Sequence, residues 1–158
     1  MQSKIQLIII GKTILMSYVR IWIHSIWGTK DRVPILEEEI RFRISQHIVS
    51  NASSKGIFID TIGGSLEHLH CLMLLKADLS ISKQMQLIKG ESSNWTNKCG
   101  LIKSHFGWAD EYFASSVSED NLDRVRLYIQ HQEVHHRKTA FLEEYNELLK
   151  QLGNISGG

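Results

Sequence analysis

The order in which hydrophobic spacing changes along this chain, from a period of two to a period near 3.6 and back, constrains its fold more than any single residue does. From Tyr18 to Trp27 the residues alternate, with Val19, Ile21 and Ile23 on one side and Arg20 and His24 on the other, as in a strand. A turn containing Gly28, Asp31 and the sole proline, Pro34, leads into residues 36–54, where Ile40, Ile44, Ile48 and Val49 recur at helical spacing before Gly56. Residues 57–62 are expected to form a second strand and 66–75 a third, joined as a hairpin through a turn at Gly63-Gly64. Ser80 or Ser82 can cap a second helix that carries Ile81, Met85 and Ile88 and extends to about Asn97 despite Gly90. Residues 108–117, with Tyr112, Phe113 and Val117, suit a fourth strand. Ser118 and Asn121 then open a helix running to about Glu133, and a last helix is expected over 140–152. Strand, helix, strand, strand, helix, strand is the α+β, ferredoxin-like (RRM-like) order: an antiparallel sheet with helices on one face, a free opposite face, and extra C-terminal helices.

A chain of 158 residues with 42% hydrophobic and 22% charged residues can bury one core without disulfides. A single domain over residues 16–152 is expected, preceded by a possible N-terminal extension, 1–15, and followed by a flexible tail, 153–158. The apolar run Ile5 to Ile10 is broken by Gly11 and Lys12 and is too short to cross a bilayer; no small-residue cleavage site follows it. Cys71 and Cys99 have no ligand-type spacing and are expected as reduced thiols in a cytoplasmic setting. The net charge of +1 excludes nothing, because nucleic-acid binding needs a basic patch and not a basic total. Lys76, Lys83, Lys89, Lys98 and Lys103 face only Asp78 and Glu91 over the same stretch, which makes the middle of the chain the better phosphate-facing candidate.

Two constellations carry possible chemistry. In Glu67-His68-Leu69-His70 the strand alternation projects both histidines from one face, where two imidazoles can meet one metal ion, while Leu69, Cys71 and Met73 point to the other. A hydrophobic residue between two histidines is the HUH pattern; alone it fits equally a pair of strand histidines facing solvent. In Tyr128-Ile129-Gln130-His131-Gln132 the phenol of Tyr128 and the amide of Gln132 lie one helical turn apart. A tyrosine hydroxyl, with an ordinary pKa of about 10, needs a polarised electrophile or an adjacent base before it attacks anything at neutral pH. The plainer reading of Tyr128 is packing against the sheet.

Together, a strand-borne HUH, a following apolar strand and a helix with Y-x-x-x-Q resemble the single-tyrosine HUH transposases of the insertion sequence two hundred family, including the repeat-associated tyrosine transposases. The stretch from Met16-Ser17-Tyr18 through Lys30 is similar to that family's first strand, and Trp108 to Phe113 to its fourth, so the resemblance spans roughly residues 16–150. It implies a DNA transposase that cleaves and rejoins single-stranded DNA at hairpins. His68, His70 and Gln132 would hold a divalent metal, Mg²⁺ or Mn²⁺, and Tyr128 would be the catalytic nucleophile forming a 5′-phosphotyrosine bond. It also implies a homodimer in which the tyrosine helix of one subunit completes the histidine site of the other. The sequence itself shows only a short connection before that helix, which can fold back or cross to a partner. Lys83, Lys89, Trp95 and Lys98 are the candidate DNA-binding residues, although a tryptophan at position 95 fits a core position as well.

His131, His135 and His136 crowd the tyrosine helix without a role in that resemblance. His131 and His135 are one turn apart and could bind a metal, but a zinc-peptidase motif needs glutamate at 132 or 134, where Gln132 and Val134 stand. His24 is expected to be structural. The alternatives to a transposase are a non-catalytic single-stranded nucleic-acid-binding module of the same fold and a metal-dependent hydrolase that uses water.

Overall fold

The structure is a computed structural model that describes residues 8–10, 13–15, 18–132 and 143. Ile8–Ile10 (β1) and Thr13–Leu15 (β2) pair antiparallel as a separate two-stranded sheet. The main unit runs Trp22–Gly28 (β3), Glu38–Ser54 (α1), Ile59–Gly64 (β4), His68–Leu74 (β5), Ile81–Lys98 (α2), Phe113–Val117 (β6) and Leu122–Gln130 (α3). Its four strands lie in the order β4-β5-β3-β6 with every neighbour antiparallel, as the ferredoxin-like order requires. No described helix is long and apolar enough to cross a membrane. The expected helix over 140–152, the tail 153–158, His135 and His136 lie outside the described residues, apart from Glu143.

Alternation along β3 and β5 divides the core in two. Ile23 and Trp27 of β3 with Leu69, Cys71 and Met73 of β5 pack against Ile44 and Ile48 of α1 and Met85 and Ile88 of α2. Trp22 and Leu72, in the opposite phase, pack with Leu122 and Ile129 of α3. The helix α2 starts where Ser80 accepts the backbone N–H of Lys83 through its side chain, and a buried Gln84 bridges the Lys76 N–H and the Leu74 carbonyl, fixing α2 to the end of β5. A hydrogen bond from Trp108 Nε1 to Ser92 Oγ, 2.9 Å, ties the approach to β6 onto α2.

Four expectations need correction. The apolar alternation from Tyr18 is not strand up to Trp22: regular pairing starts opposite the last residues of both partners, with Trp22 facing Leu74 and Val117, and Tyr18, Val19 and Ile21 are exposed. The fourth strand is likewise shorter, beginning at Phe113, with Trp108 forming an isolated bridge to Thr29. Gly63 and Gly64 do not make the hairpin turn; both are paired residues of β4, and the turn falls at 65–67. Nor is the sheet's second face free, because α3 lies across its β4–β5 side.

Candidate active site

The site grows out of one ladder position. His70 lies opposite Ile26 in β3 and opposite Gly63 in β4, and His68 lies opposite Gly28. Both histidines point to the α3 face and are fully buried, with ring centroids 5.0 Å apart. Each has its Nδ1 engaged by a buried polar group: His68 Nδ1 is 3.2 Å from Ser65 Oγ, and His70 Nδ1 is 3.0 Å from Nε2 of His24. The His24 and His70 rings stack with centroids 5.2 Å apart. Burial holds His24 well below the ordinary histidine value, at about 4, so this ring is neutral at physiological pH.

The helix α3 descends onto this face because Gly63 has no side chain. A Cβ there would stand 2.8 Å from the carbonyl oxygen of Ile129 and 3.2 Å from its Cγ2. The same absence lets the residue before Ile129 reach the histidines: the Tyr128 ring lies 5.5 Å from that of His70 and 6.1 Å from that of His24, edge to face in both cases. One turn on, Gln132 is 1% exposed; its Nε2 donates to the Tyr128 carbonyl at 3.3 Å. Its Oε1 is buried and accepts no hydrogen bond among the described residues. Arg126 fastens the helix to β4 with two hydrogen bonds to Asp60, at 2.8 and 2.9 Å, and a third to Asp123 at 2.7 Å. That pairing, chiefly the Arg126 hydrogen bonds, holds the Asp60 carboxyl below its ordinary value.

His68 and His70 on β5 and Tyr128 on α3 thus meet on one face, with Gln132 two residues past the end of α3. Among the described residues no group of three His, Cys, Asp or Glu gathers, and the amide of Gln132 is a further buried oxygen donor. His131 turns away, exposed, with Nδ1 on the Leu127 carbonyl. The four α2 candidates do not converge on this site, since α2 covers the opposite face of the sheet. Lys83 and Lys98 are exposed there. Lys89 donates to the carbonyls of Asp110 and Glu111 and sits over the Tyr112 ring, while Trp95 stacks on His47 and packs against the core. Sequence reasoning missed Gly63, Asp60, Arg126 and the contact of His24 with His70. His24 alone carried a signal, its strand phase.

A ferredoxin-like sheet with a buried histidine pair facing a helical tyrosine is the arrangement the sequence resemblance leads one to expect. The family model for IS200-like transposases matches residues 17–132, and the chain belongs to that family. Among solved structures it is similar to a Deinococcus radiodurans R1 protein described as a transposase, with 21% identity and a TM-score of 0.59 over 73% of this chain and 93% of that one. It is also similar to a REP-associated tyrosine transposase bound to a REP hairpin, with 19% identity and a TM-score of 0.54 over 80% of this chain and 74% of the other. These two likenesses speak for the fold. Among curated proteins none matches.

Proposed function

We propose that this transposase cleaves and rejoins single-stranded DNA at hairpins, with Tyr128 as nucleophile and His68, His70 and Gln132 as ligands of a divalent metal. The observation that carries this is the approach of the Tyr128 ring to within 5.5 Å of the fully buried His70, beside His68 on the same face. The donor set fits a metal: two imidazoles whose Nδ1 atoms are engaged elsewhere, and a buried amide oxygen that accepts no hydrogen bond among the described residues. Mixed nitrogen and oxygen donors with further positions left for phosphate and water suit Mg²⁺ or Mn²⁺. Such an ion would act as a Lewis acid on the scissile phosphate.

In this reading the phenolic oxygen of Tyr128 bonds to phosphorus as the bond from phosphorus to the 3′ oxygen breaks. The phenolic proton is lost, the leaving 3′ oxygen takes one up as a hydroxyl, and the 5′ end stays on the enzyme as a phosphotyrosine. Rejoining reverses this, with a 3′-hydroxyl attacking the ester, so no nucleotide cofactor is consumed. The hairpin substrate is argued from the likeness to the REP-associated transposase, which is described as hairpin-bound. Phosphate contact from α2 is assigned to Lys83 and Lys98, which remain exposed, ahead of Lys89 and Trp95, which are engaged within the fold.

The homodimer with exchanged tyrosine helices implied by the sequence resemblance would place the same four residues together by passing α3 to a partner through residues 118–121. The Asp60–Arg126 pair and the seat of Ile129 on Gly63 hold α3 on β4 in the same way whether the helix belongs to the same chain or to a partner. The test is a denaturing gel of the protein with labelled single-stranded hairpin DNA and Mn²⁺ or Mg²⁺. A covalent band that Tyr128→Phe lacks supports the proposal. Hairpin binding on a native gel with no covalent band would point to a binding module, and metal-dependent cutting without an adduct to a hydrolase that uses water.

A further inference from the structure

His24 sits on β3, three residues before Trp27, and only its strand phase links it to the site. In the folded chain it is 7% exposed, stacked on His70, with its Nε2 3.0 Å from His70 Nδ1 and its ring in edge contact with Tyr128. One of the two facing nitrogens carries the proton, and the choice has a consequence for His70. If His70 donates its Nδ1–H, its Nε2 bears a lone pair; if His24 donates, His70 Nε2 bears the proton of a neutral ring and cannot ligate. We propose that His24 is the positioning residue of the histidine pair: it accepts the Nδ1–H of His70 and so fixes both the ring orientation and the tautomer that presents Nε2 as a metal ligand.

The proposal rests on the metal reading above and goes beyond it to a residue on a different strand. Three features of the molecule support this role over plain packing. A residue that merely filled the space between β3 and α3 could be Leu or Phe, as its neighbours on that face, Trp22 and Leu72, are apolar. Instead a polar ring is buried there, which is costly unless its hydrogen bond is made. Its partner atom is the Nδ1 of His70 and not a backbone group. The second histidine has its own counterpart, since Ser65 Oγ, also buried, stands 3.2 Å from His68 Nδ1. Each candidate ligand is therefore held from behind at the same ring atom. The ligand-bearing strand β5 supplies neither support; one comes from β3 and the other from the β4–β5 turn. Groups of this kind behind a ligating histidine are worth about 10- to 100-fold in metal affinity.

The experiment compares wild type, His24→Ala and His24→Gln, the last keeping an acceptor oxygen near the place of Nε2. Mn²⁺ is titrated calorimetrically into each purified full-length protein, thermal unfolding is followed without metal, and imidazole ¹⁵N spectra of the metal-free proteins report the His70 tautomer. Expected are Mn²⁺ binding weakened about 10- to 100-fold in His24→Ala and largely restored in His24→Gln. His70 should be protonated at Nδ1 in wild type and His24→Gln and a mixture in His24→Ala. Equal Mn²⁺ affinity in folded His24→Ala would overturn the positioning role, as would weakened binding that His24→Gln fails to recover. Should wild type itself not bind Mn²⁺, the metal reading falls, and the tautomer spectra alone decide the hydrogen bond: an unchanged His70 in His24→Ala overturns it, and a lost preference upholds it. Should His24→Ala not fold, His24→Gln decides, because a packing role predicts impaired folding there too with no preference in the His70 tautomer.

Discussion

At the scale of single residues, the site depends on a few atoms placed by absence as much as by presence. Tyr128 is half-buried against His70 and His24, so replacing it with Phe removes one oxygen and leaves the ring contacts in place. Folding and hairpin binding of Tyr128→Phe are expected to stay within a few tenths of a kcal/mol of wild type, and cleavage to fall by more than about 10³-fold, as for other lost nucleophiles. Retained cleavage in a radiolabelled-strand assay would contradict this. Gly63→Ala is expected to do the reverse, sparing every candidate catalytic group while moving them. The added methyl would meet backbone, the Ile129 carbonyl at 2.8 Å, which cannot swing aside like a side-chain end. A cost of about 1 to 3 kcal/mol is anticipated from denaturant unfolding, with slower cleavage as α3 is lifted from His70. Unchanged midpoint and rate would show that the helix does not need this close seat. The sequence showed His68, His70, Tyr128 and Gln132 because their spacing matches strand and helix periods. Gly63 was misread as a turn residue, since a glycine chosen for a close approach looks the same in sequence as one chosen for its dihedrals.

Among the elements, α3 decides whether the site exists. It is short, nine residues, and its hold on the sheet comes from Leu122, Ile129 and the Asp60–Arg126 pair. Burying Ile129 alone contributes roughly 1.5 to 3 kcal/mol. The ion pair is partly exposed, with side chains 16% and 33% accessible, so Asp60→Asn is expected to cost about 1 kcal/mol or less. Because pairing lowers the Asp60 carboxyl in the folded state, its contribution is full above the ordinary value, 3.8, and is lost as pH falls below it toward the folded value. Wild type should therefore lose its advantage over Asp60→Asn as pH drops through that window. Urea midpoints at pH 6 and pH 3 measure it, and an undiminished difference at pH 3 would mean that the pair does not hold the helix. This element was legible only in part. The apolar spacing of Leu122, Val125 and Ile129 marks a helix, but no local pattern says which sheet face it covers. That choice rests on Asp60 and Arg126, separated by 66 positions in the chain.

For the molecule as a whole, the order of strands and helices was readable because each change of hydrophobic period marks one element, and the antiparallel β4-β5-β3-β6 sheet follows from that order. Strand limits were less readable: Tyr18 to Ile21 alternate like a strand yet stop pairing where β5 and β6 end. The basic stretch of α2 was legible as charge but not as position, and it falls on the face away from the histidines. Whether α3 completes the site of its own chain or that of a partner is decided by mixtures. Inactive Tyr128→Phe and inactive His68→Ala proteins, combined, stay inactive if each chain completes its own site, whereas exchange of α3 between copies restores up to about a quarter of wild-type cleavage, because one site in two is intact in the half of the dimers that are mixed. The central claim is tested most directly by the covalent adduct itself. Wild-type protein incubated with labelled hairpin DNA and Mn²⁺, then run on a denaturing gel, is expected to give a protein-DNA band that requires the metal and disappears in Tyr128→Phe; the same band formed by Tyr128→Phe, or formed equally in chelator, would contradict the account.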